Sequence, residues 1–394
     1  MKIGILTFHS QLNYGGVLQC WALKTVLERM GNEVVVIDRW LDKENSRLER
    51  SYNRWKWRQW LRFWIRSLFG LDDFNGWLRV NRTKKFIKKQ LNLTSYHFVE
   101  WKDAPKELLV DCIIVGSDQV WHCGDWGNPL VYLMEDAPKV SVVAYAASFG
   151  MSSLPQFLRN DDSELAFIEA EPLYKRGLSK FKAISCREIE GIEICKYLGF
   201  DATHVVDPTL LNIQLHNISK CKRKDLVCYF LSEKIDEHFD ALEQFAKLNH
   251  CNVKVFIRGN WVLTKPINVK NIRYGINMML KRRLSPVKIM DGAGPVEFYK
   301  AFQNAKWVIS DSFHALMFSI CNNCNARIIR PSSKMRQQMF ARIEEFANHT
   351  IGPLVVNSVS EAINSIFKGE TVAYDYEWII CRKNESLEWL KRNV

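Results

Sequence analysis

The sequence predicts an α/β protein with two Rossmann-like domains and a basic, aromatic helical insertion in the first domain. Short apolar runs that end in polar residues alternate with helical patterns, as in buried parallel sheets. This alternation restarts in the second half of the 394-residue chain, whose length suits two domains. A tract rich in arginine and tryptophan interrupts the first half at about residues 44–92.

The first half opens with a predicted βαβ unit. KIGILTF reads as a buried strand, HSQLNYGG as a loop, VLQCWALKTVLERMG as a helix ended by Gly31, and EVVVID as the next strand. Four further apolar runs continue the sheet, namely DCIIVGSD, VSVVAYAAS, AISCRE and HVVDPT.

The second half repeats this order. Its predicted strands are DLVCYFL, VKVFIR, KWVIS and ARIIR, and its predicted helices are EKIDEHFDALEQFAKLN, GPVEFYKAFQNA and FHALMFSICNN. A polar, basic stretch at 212–224 is the predicted boundary, so we expect domains at 1–215 and 216–394. The final helix, SLEWLKRN, is a candidate to pack back on the first domain.

Bulk composition points to an ordinary globular protein, with 47% hydrophobic and 25% charged residues. No run approaches the roughly 20 apolar residues of a spanning helix, and the N-terminus lacks a signal-peptide pattern. Eleven scattered cysteines argue against a disulfide framework. The Cys321–Cys324 spacing lacks partners for zinc, so we expect no metal and two buried or half-buried thiols. We therefore expect a cytoplasmic protein.

The positive charge is concentrated in the insertion. Residues 50–90 hold twelve Lys or Arg and two acids, 12 − 2 = +10 of the net +12. Nucleic-acid enzymes more often spread basic residues around the cleft, so no nucleic-acid partner is expected. Two alternatives stay open. One is peripheral contact with an anionic membrane at its inner face, or with a lipid-linked ligand; the other is a helical hairpin that caps a domain edge.

Polar residues directly after predicted strands mark the candidate site, because ligands of open α/β sheets bind there. No dinucleotide fingerprint, phosphate loop or nucleophile elbow is found among them. The segments are NYGG (13–16), GSDQVW (116–121), AASFG (146–150), SCRE (185–188), DPT (207–209), RGN (258–260) and SDSFH (310–314).

Six pieces in order resemble the polysaccharide pyruvyl transferase family, from residue 3 to about 330 without the insertion. They are GILTFHSQLNYGGVLQCWAL, VGSDQVW, YAASFG, SCREIEG, VVDPTLL and VISDSFHALMFSI. The resemblance implies a GT-B-like pair of domains. It also implies transfer of a pyruvyl group from phosphoenolpyruvate to two hydroxyls of a sugar as a cyclic ketal. The co-substrate is then phosphoenolpyruvate, with no further cofactor, and the acceptor is a cell-surface glycan or its lipid-linked precursor.

The resemblance assigns the catalytic role to His314, and histidine titrates near working pH as a general acid must. If Ser312 caps the helix, His314 lies in its first turn, where free amide groups also favour anions. Arg187 matches a donor-binding arginine of the family, and an arginine fork suits carboxylate or phosphate. Asp118 and Asp207 are candidate bases or sugar-hydroxyl acceptors, although Asp207 before proline equally suits a cap.

Two departures from the family concern the donor. Some members carry an arginine two residues before the histidine, where this chain has Ser312, and Ala315 replaces a frequent glycine. Another cation must then serve, with Arg258 as the first choice. The other candidates are Arg330, Lys334 and Arg336.

The remaining predicted site residues complete the two sides of the cleft. Ser310 joins Ser312 and Arg258 on the donor side. Asn13, Gly15 and Gly16 are expected to line the acceptor side, although a plain tight turn also explains a Gly-Gly pair. Two other functions remain open, a GT-B-type glycosyltransferase that uses a nucleotide sugar and a catalytically silent scaffold that binds glycans or a partner.

Overall fold

The computed structural model of the protein describes residues 1–10, 12–40, 57–68, 74–122, 129–150, 164–212, 223–232, 235–257, 284–332, 337 and 340–394. The predicted boundary at 212–224 falls largely outside these ranges, and the predicted limits 1–215 and 216–394 stay a proposal.

The first half forms a seven-stranded sheet in which every neighbouring pair is parallel, in the order β3-β2-β1-β4-β5-β6-β7. Continuous apolar runs form its central strands because both faces are covered. The strands are β1 Lys2–Leu6, β2 Glu33–Arg39, β3 Leu93–Phe98, β4 Cys112–Val115, β5 Ser141–Ala147, β6 Ala183–Cys186 and β7 Thr203–His204. The helices are α1 Tyr14–Arg29, α2 Trp57–Leu68, α3 Phe74–Gln90, α4 Pro129–Tyr132, α5 Glu164–Leu178, α6 Ile189–Tyr197 and α7 Pro208–Leu211.

The second half forms a six-stranded parallel sheet in the order β10-β9-β8-β11-β12-β14, and β13 pairs antiparallel with β15. The strands are β8 Asp225–Phe230, β9 Val253–Ile257, β10 Val287–Ile289, β11 Ala305–Ser310, β12 Asn325–Ile329, β13 Thr350–Ile351, β14 Val355–Val356 and β15 Ala373–Tyr374. The helices are α8 Ile235–Leu248, α9 Pro295–Asn304, α10 Phe313–Cys321, α11 Ala341–Asn348, α12 Val359–Phe367 and α13 Tyr376–Asn393.

Two parallel sheets confirm the predicted pair of Rossmann-like halves. In each, the strand order reverses once, between β1 and β4 in the first and between β8 and β11 in the second. Such a reversal opens a crevice beyond the carboxyl ends of the strands, where ligands of this class of sheet bind. The segments that follow β1, β4 and β11 are therefore the ones positioned to form a site.

Helix α1 begins earlier than the sequence pattern indicates. Asn13 is its N-cap, and its side-chain oxygen accepts a hydrogen bond from the amide of Gly15 at 3.1 Å. Gly15 and Gly16, predicted to lie in a loop, are therefore in the first helical turn. The prediction was wrong because glycine usually interrupts a helix, whereas here two glycines let neighbouring groups approach the helix start closely.

The C-terminal helix α13, which contains the segment SLEWLKRN, packs against the first half. The hydroxyl of Ser386 accepts a hydrogen bond from the amide of Val206 at 3.0 Å. The rings of Tyr145 and Trp389 lie 6.0 Å apart, measured between centroids. Both contacts join the end of the chain to strands or loops before residue 210.

The two described helices of the insertion differ in environment. Helix α3 buries Val80, Phe86 and Ile87 against the protein. Its Arg79 donates to the carbonyl of Leu12 at 2.7 Å, and its Arg82 donates to the carbonyl of Gly292 at 2.8 Å. Helix α3 therefore contacts both the segment before α1 and the second half of the chain. This contact agrees with the capping alternative for that part of the insertion.

Helix α2 instead exposes an apolar face. Leu61, Trp64, Ile65 and Leu68 are all exposed, and their spacing places them on one side of the helix. The described arginines Arg58 and Arg62 are also exposed. The prediction that aromatic and basic residues share this helix is therefore supported for α2, while the residues before 57 and at 69–73 lie outside the described part of the chain.

Candidate active site

His314 stands where the second half of the chain meets the first. It is the second residue of α10, directly after β11, and Ser312 is the N-cap, as the sequence predicts. The side chain of Ser312 makes no capping hydrogen bond, so the first-turn amide groups of α10 receive no acceptor from it. A helix start with free amides favours a bound anion beside His314.

The imidazole of His314 lies against the start of α1. A β-carbon built on Gly15 would be only 2.3 Å from Nδ1 of His314. No real β-carbon tolerates that distance, so the missing side chain of Gly15 is what admits the ring. Gly16 similarly faces Asp118, since a β-carbon there would lie 3.3 Å from Oδ2. The predicted acceptor-side glycines are thus brought to the predicted catalytic pair.

Buried charges from the first half surround this meeting point. The guanidinium of Arg187, which follows β6, has a fully buried side chain and lies near three carboxylates. Its Nη1 is 3.2 Å from Oδ2 of Asp207, its Nη2 is 3.5 Å from Oδ1 of Asp118, and its Nε is 3.5 Å from Oε2 of Glu188. Burial works to lower the pKa of Arg187, but these carboxylates raise it overall. Arg187 therefore stays charged and holds the carboxylates together.

Asp207 is the best-satisfied of these carboxylates. It caps α7 by accepting hydrogen bonds from the amide of Thr209 at 3.0 Å and its hydroxyl at 2.8 Å, and it also accepts from the hydroxyl of Ser117 at 3.2 Å. Burial alone would raise its pKa, but His314, Arg187 and the Thr209 hydrogen bonds lower it. Asp207 is thus an ionised cap that also faces the imidazole, and the cap is one of the two roles weighed from the sequence; its role as a base or sugar-hydroxyl acceptor stays a prediction.

The Nε2 atom of His314 lies 3.9 Å from Oδ2 of Asp207, and this buried nitrogen has no hydrogen-bond partner among the described residues. Burial lowers the pKa of His314, against the opposing charges of Asp207 and Asp118. A buried ring nitrogen without a partner is costly in a purely structural histidine. It is suited to a residue that exchanges a proton with a ligand.

Asp118 follows β4 and stands on a constrained turn. Its φ angle of +80° lies in the left-handed region, which a non-glycine residue rarely adopts outside tightly held sites. Oδ1 accepts a hydrogen bond from the amide of Gln119 at 2.9 Å. Oδ2 is the oxygen that faces Gly16, so one carboxylate oxygen is directed toward the start of α1.

The predicted donor-side residues have different environments. Ser310 is buried, donates its hydroxyl proton to the carbonyl of Tyr229 and accepts from the amide of Ser312 at 3.1 Å, so its contacts serve the turn before α10. Ser312 stands at the helix start itself. Arg187 is present but is already surrounded by carboxylates, so direct donor contact through either Ser310 or Arg187 stays a prediction.

Of the four cations proposed to replace the missing arginine, Arg330 lies in the described part of the chain. Arg258, Lys334 and Arg336 lie outside the described residues. Arg330 is half exposed, and its Nη1 pairs with Oε1 of Glu344 at 2.7 Å.

Three residues at the site were missed by the sequence-based prediction. Glu188 is buried beside Arg187, and Phe313 places its ring under the Arg187 guanidinium at 5.1 Å from the centroid. Arg342, from α11, lies over the same ring at 4.8 Å. Glu188 lies in the SCRE segment and Phe313 in the SDSFH segment, so both are adjacent in sequence to a predicted site residue. Arg342 follows no predicted strand and carries no such signal.

Taken together, the arrangement offers a proton-exchanging imidazole, carboxylates on its other side and a helix start that favours anions. These are the parts of an acid–base site for an anionic substrate. Among the described residues, no group of three or more His, Cys, Asp or Glu could hold a metal ion. In the same part of the chain, none of the helices has the length and apolar character needed to cross a bilayer.

Comparison with known families gives one match, to the family described as polysaccharide pyruvyl transferase, over residues 13–333. A comparison with curated proteins found no match. The matched region includes Asn13, Asp118, Arg187 and His314, and it ends before Arg342.

Solved structures with a similar course of the chain include two UDP-GlcNAc 2-epimerases. The Neisseria meningitidis enzyme, bound to UDP-GlcNAc, is 11% identical, with 98% of this chain and 94% of that chain covered and a TM-score of 0.48. The Methanocaldococcus jannaschii enzyme is 12% identical, with 93% and 92% covered and a TM-score of 0.45. A calicheamicin glycosyltransferase is 12% identical, with 100% and 93% covered and a TM-score of 0.42. At these identities and scores, no activity is carried over to this chain.

Proposed function

Because the chain belongs to the polysaccharide pyruvyl transferase family, we propose that it moves a pyruvyl group from phosphoenolpyruvate onto two hydroxyls of a sugar, forming a cyclic ketal. The single observation that carries the proposal is the setting of His314. Its Nε2, which has no hydrogen-bond partner within the described ranges, lies 3.9 Å from Oδ2 of Asp207, in the first turn of a helix whose amides favour an anion.

The first proposed step is protonation of the donor. A ring nitrogen of His314 gives its proton to the methylene carbon, and the C=C electron pair forms the new C–H bond. The adjacent carbon becomes an oxocarbenium-like centre, still bonded to the phosphate oxygen. The charge of Asp207 stabilises the protonated imidazole before this transfer, which keeps a proton available despite the lowered pKa of His314.

The next steps form the ketal. A sugar hydroxyl attacks the cationic carbon and gives its proton to a base, for which Asp118 is proposed because Oδ2 faces the α1 start beside Gly16. The C–O bond to phosphate then breaks, and phosphate leaves with that electron pair. Asp118 passes the first proton to the leaving phosphate. A second hydroxyl attacks the regenerated cationic centre and gives its proton to the neutral imidazole of His314. The products are the ketal and hydrogen phosphate, and both His314 and Asp118 return to their starting protonation states.

The acceptor is proposed to be a sugar of a cell-surface polysaccharide or of its lipid-linked precursor, modified at the cytoplasmic face of the membrane. The exposed face of α2 supports this setting, because Leu61, Trp64, Ile65 and Leu68 lie beside exposed arginines. Apolar and cationic residues on one helix suit an anionic bilayer surface. Asn13, Gly15 and Gly16 are proposed to line the acceptor side of the cleft.

Binding and turnover with two donor classes test the proposal. The full chain is titrated with phosphoenolpyruvate and, separately, with a panel of nucleotide sugars, and protein NMR shifts and melting temperature are recorded. Phosphoenolpyruvate is expected to shift signals and raise the melting temperature, and with a suitable sugar it is expected to release phosphate and form a ketal. Binding of a nucleotide sugar with glycosyl transfer, and no response to phosphoenolpyruvate, would instead establish the glycosyltransferase alternative.

A further inference from the structure

The guanidinium of Arg342 is largely buried and makes no ion pair with any residue that the structure describes. Arg342 is the second residue of α11, and it is half-buried as a residue. Its Nε and Nη1 atoms are fully buried and have no hydrogen-bond partner, and within the described residues no carboxylate lies at ion-pair distance from it. An unpaired buried charge lowers stability, and an anionic ligand that pairs with the guanidinium would remove this cost.

Phe313 places Arg342 at the candidate active site. The Cζ atom of Arg342 lies 4.8 Å from the Phe313 ring centroid, and Cζ of Arg187 lies 5.1 Å from the same centroid. The Phe313 and His314 rings are in turn 5.5 Å apart between centroids. The ring of Phe313 therefore contacts both Arg342 and the proposed general acid.

The two guanidiniums differ in how far they are neutralised. Arg187 lies beside Asp118, Glu188 and Asp207, whereas Arg342 forms no ion pair in the described part of the chain. Burial, followed by repulsion from Arg187, lowers the pKa of Arg342 to about 10, which leaves it protonated at neutral pH. The carboxylates that oppose this lowering, Glu188, Asp118 and Asp207, make their ion pairs with Arg187 instead.

We propose that Arg342 binds the phosphoryl group of the donor beside the first turn of α10. The inference rests on the proposed function and assigns its donor cation, at a site where this chain has Ser312 and some family members have an arginine. The phosphoryl group is the more highly charged end of phosphoenolpyruvate, and an arginine without a counter-ion gains most from it. The amide groups at the start of α10 contribute to the same anion.

Inorganic phosphate is the probe, because it reports on the phosphoryl site without requiring turnover. Binding to the full chain is measured by titration calorimetry for wild type, Arg342→Gln, Arg342→Lys and Arg176→Gln. Arg176 is the matched control, since it is exposed and already paired with Glu135. Losing a charge-assisted contact should weaken phosphate binding by about tenfold or more in Arg342→Gln, with partial loss in Arg342→Lys and none in Arg176→Gln.

Two further measurements serve as controls, one for folding of the variant and one for binding of the donor's carboxylate. Thermal unfolding of ligand-free Arg342→Gln should match or exceed that of wild type, because the substitution removes an unpaired buried charge. Pyruvate, which has the carboxylate alone, should bind wild type and Arg342→Gln equally. Loss of pyruvate affinity with unchanged phosphate affinity would assign Arg342 to the carboxylate and overturn the proposal.

The inference and the proposed function fail in different ways. The role of Arg342 is overturned if the wild-type protein binds no phosphate. It is also overturned if Arg342→Gln is folded and binds phosphate as well as wild type does, even when ketal formation is observed. Phosphate binding that depends on Arg342, without any pyruvyl transfer, supports the anion site and counts against the reaction.

Discussion

Gly15 and His314 come from opposite halves of the chain, and the imidazole fills the space that a side chain at position 15 would need. The built β-carbon of Gly15 lies 2.3 Å from Nδ1 and 2.5 Å from Cγ of the ring. The start of α1 therefore fixes where the ring of His314 can lie, and the position of one half controls the proton donor of the other.

Gly15→Ala should impair the reaction more than the fold. The added methyl group must displace the His314 ring, and a displacement of about 1 Å can cost roughly 100-fold in rate. Gly16→Ala is the control with a milder steric conflict, because its β-carbon would lie 3.2 Å from the nearest atom, the carbonyl oxygen of Phe8. Phosphate release and melting temperature are measured together. Equal activity of Gly15→Ala and wild type would contradict the close approach.

His314→Gln should abolish measurable turnover while the protein stays folded. A general acid typically contributes about 10²- to 10⁴-fold, and Nε2 makes no hydrogen bond within the described residues that the substitution could break. Turnover is followed by phosphate release, and folding by thermal unfolding. Activity within a few-fold of wild type, in a folded protein, would remove His314 from the role of general acid.

The fold should lose stability on mild acidification through His314. Burial lowers the pKa of this histidine below its usual 6.5, so the unfolded chain binds the proton more readily than the folded one. Stability therefore rises with pH between the two values. The contribution is complete above about 6.5 and is lost as the pH falls through the folded-state pKa. The free energy of unfolding, measured with urea at several pH values in this range, should change less with pH in His314→Gln than in wild type. An equal change with pH in both proteins would refute the assignment.

Arg187→Lys tests whether Arg187 organises the site or also binds the donor. A single ammonium nitrogen cannot serve Asp118, Glu188 and Asp207 at once, as the three guanidinium nitrogens do. Breaking a buried ionic network costs about 3–5 kcal/mol when a charge is left unpaired, so a measurable part of that loss is expected in urea unfolding. A selective rise in the donor KM, with the acceptor KM unchanged, would establish the predicted donor contact. An unchanged donor KM would reject that contact.

The exposed face of α2 should bind anionic vesicles. A triple variant that changes Arg58, Arg62 and Arg66 to Gln should bind phosphatidylserine-containing vesicles more weakly in a flotation assay. Each basic residue near such a surface contributes about 1 kcal/mol. The control changes Lys85, Lys88 and Lys89 on α3, whose apolar face is packed on protein. Turnover on a soluble acceptor should survive both sets. Equal vesicle binding by wild type and the α2 variant would favour the capping alternative for this helix.

Much of the fold was predictable because each strand of a buried parallel sheet is visible in the local sequence as a short apolar run. Runs such as those of β1 and β11 are continuous and apolar, and their polar ends mark the crevice. The same reasoning placed His314 in the first turn of α10 with Ser312 as its cap. It misplaced the start of α1, because Gly15 and Gly16 are explained by contacts with His314 and Asp118, which are distant in the sequence.

Arg342 could not be found in this way. An arginine within FARIEEF looks like an ordinary solvated residue of a short helix, and its spacing from the other site residues follows no motif. Its importance arises from long-range burial against Phe313 and from the lack of a carboxylate partner. Both properties depend on the assembled structure.

The most direct test of the central claim is the isotope content of the product made in deuterium oxide from unlabelled phosphoenolpyruvate. If His314 protonates the methylene carbon, its exchangeable proton is replaced by deuterium before transfer. Mass spectrometry should then find one deuterium in the methyl group of the ketal, with phosphate released in equal amount and no product from His314→Gln. A ketal whose methyl group carries no deuterium, or undiminished product from a folded His314→Gln, would contradict the account.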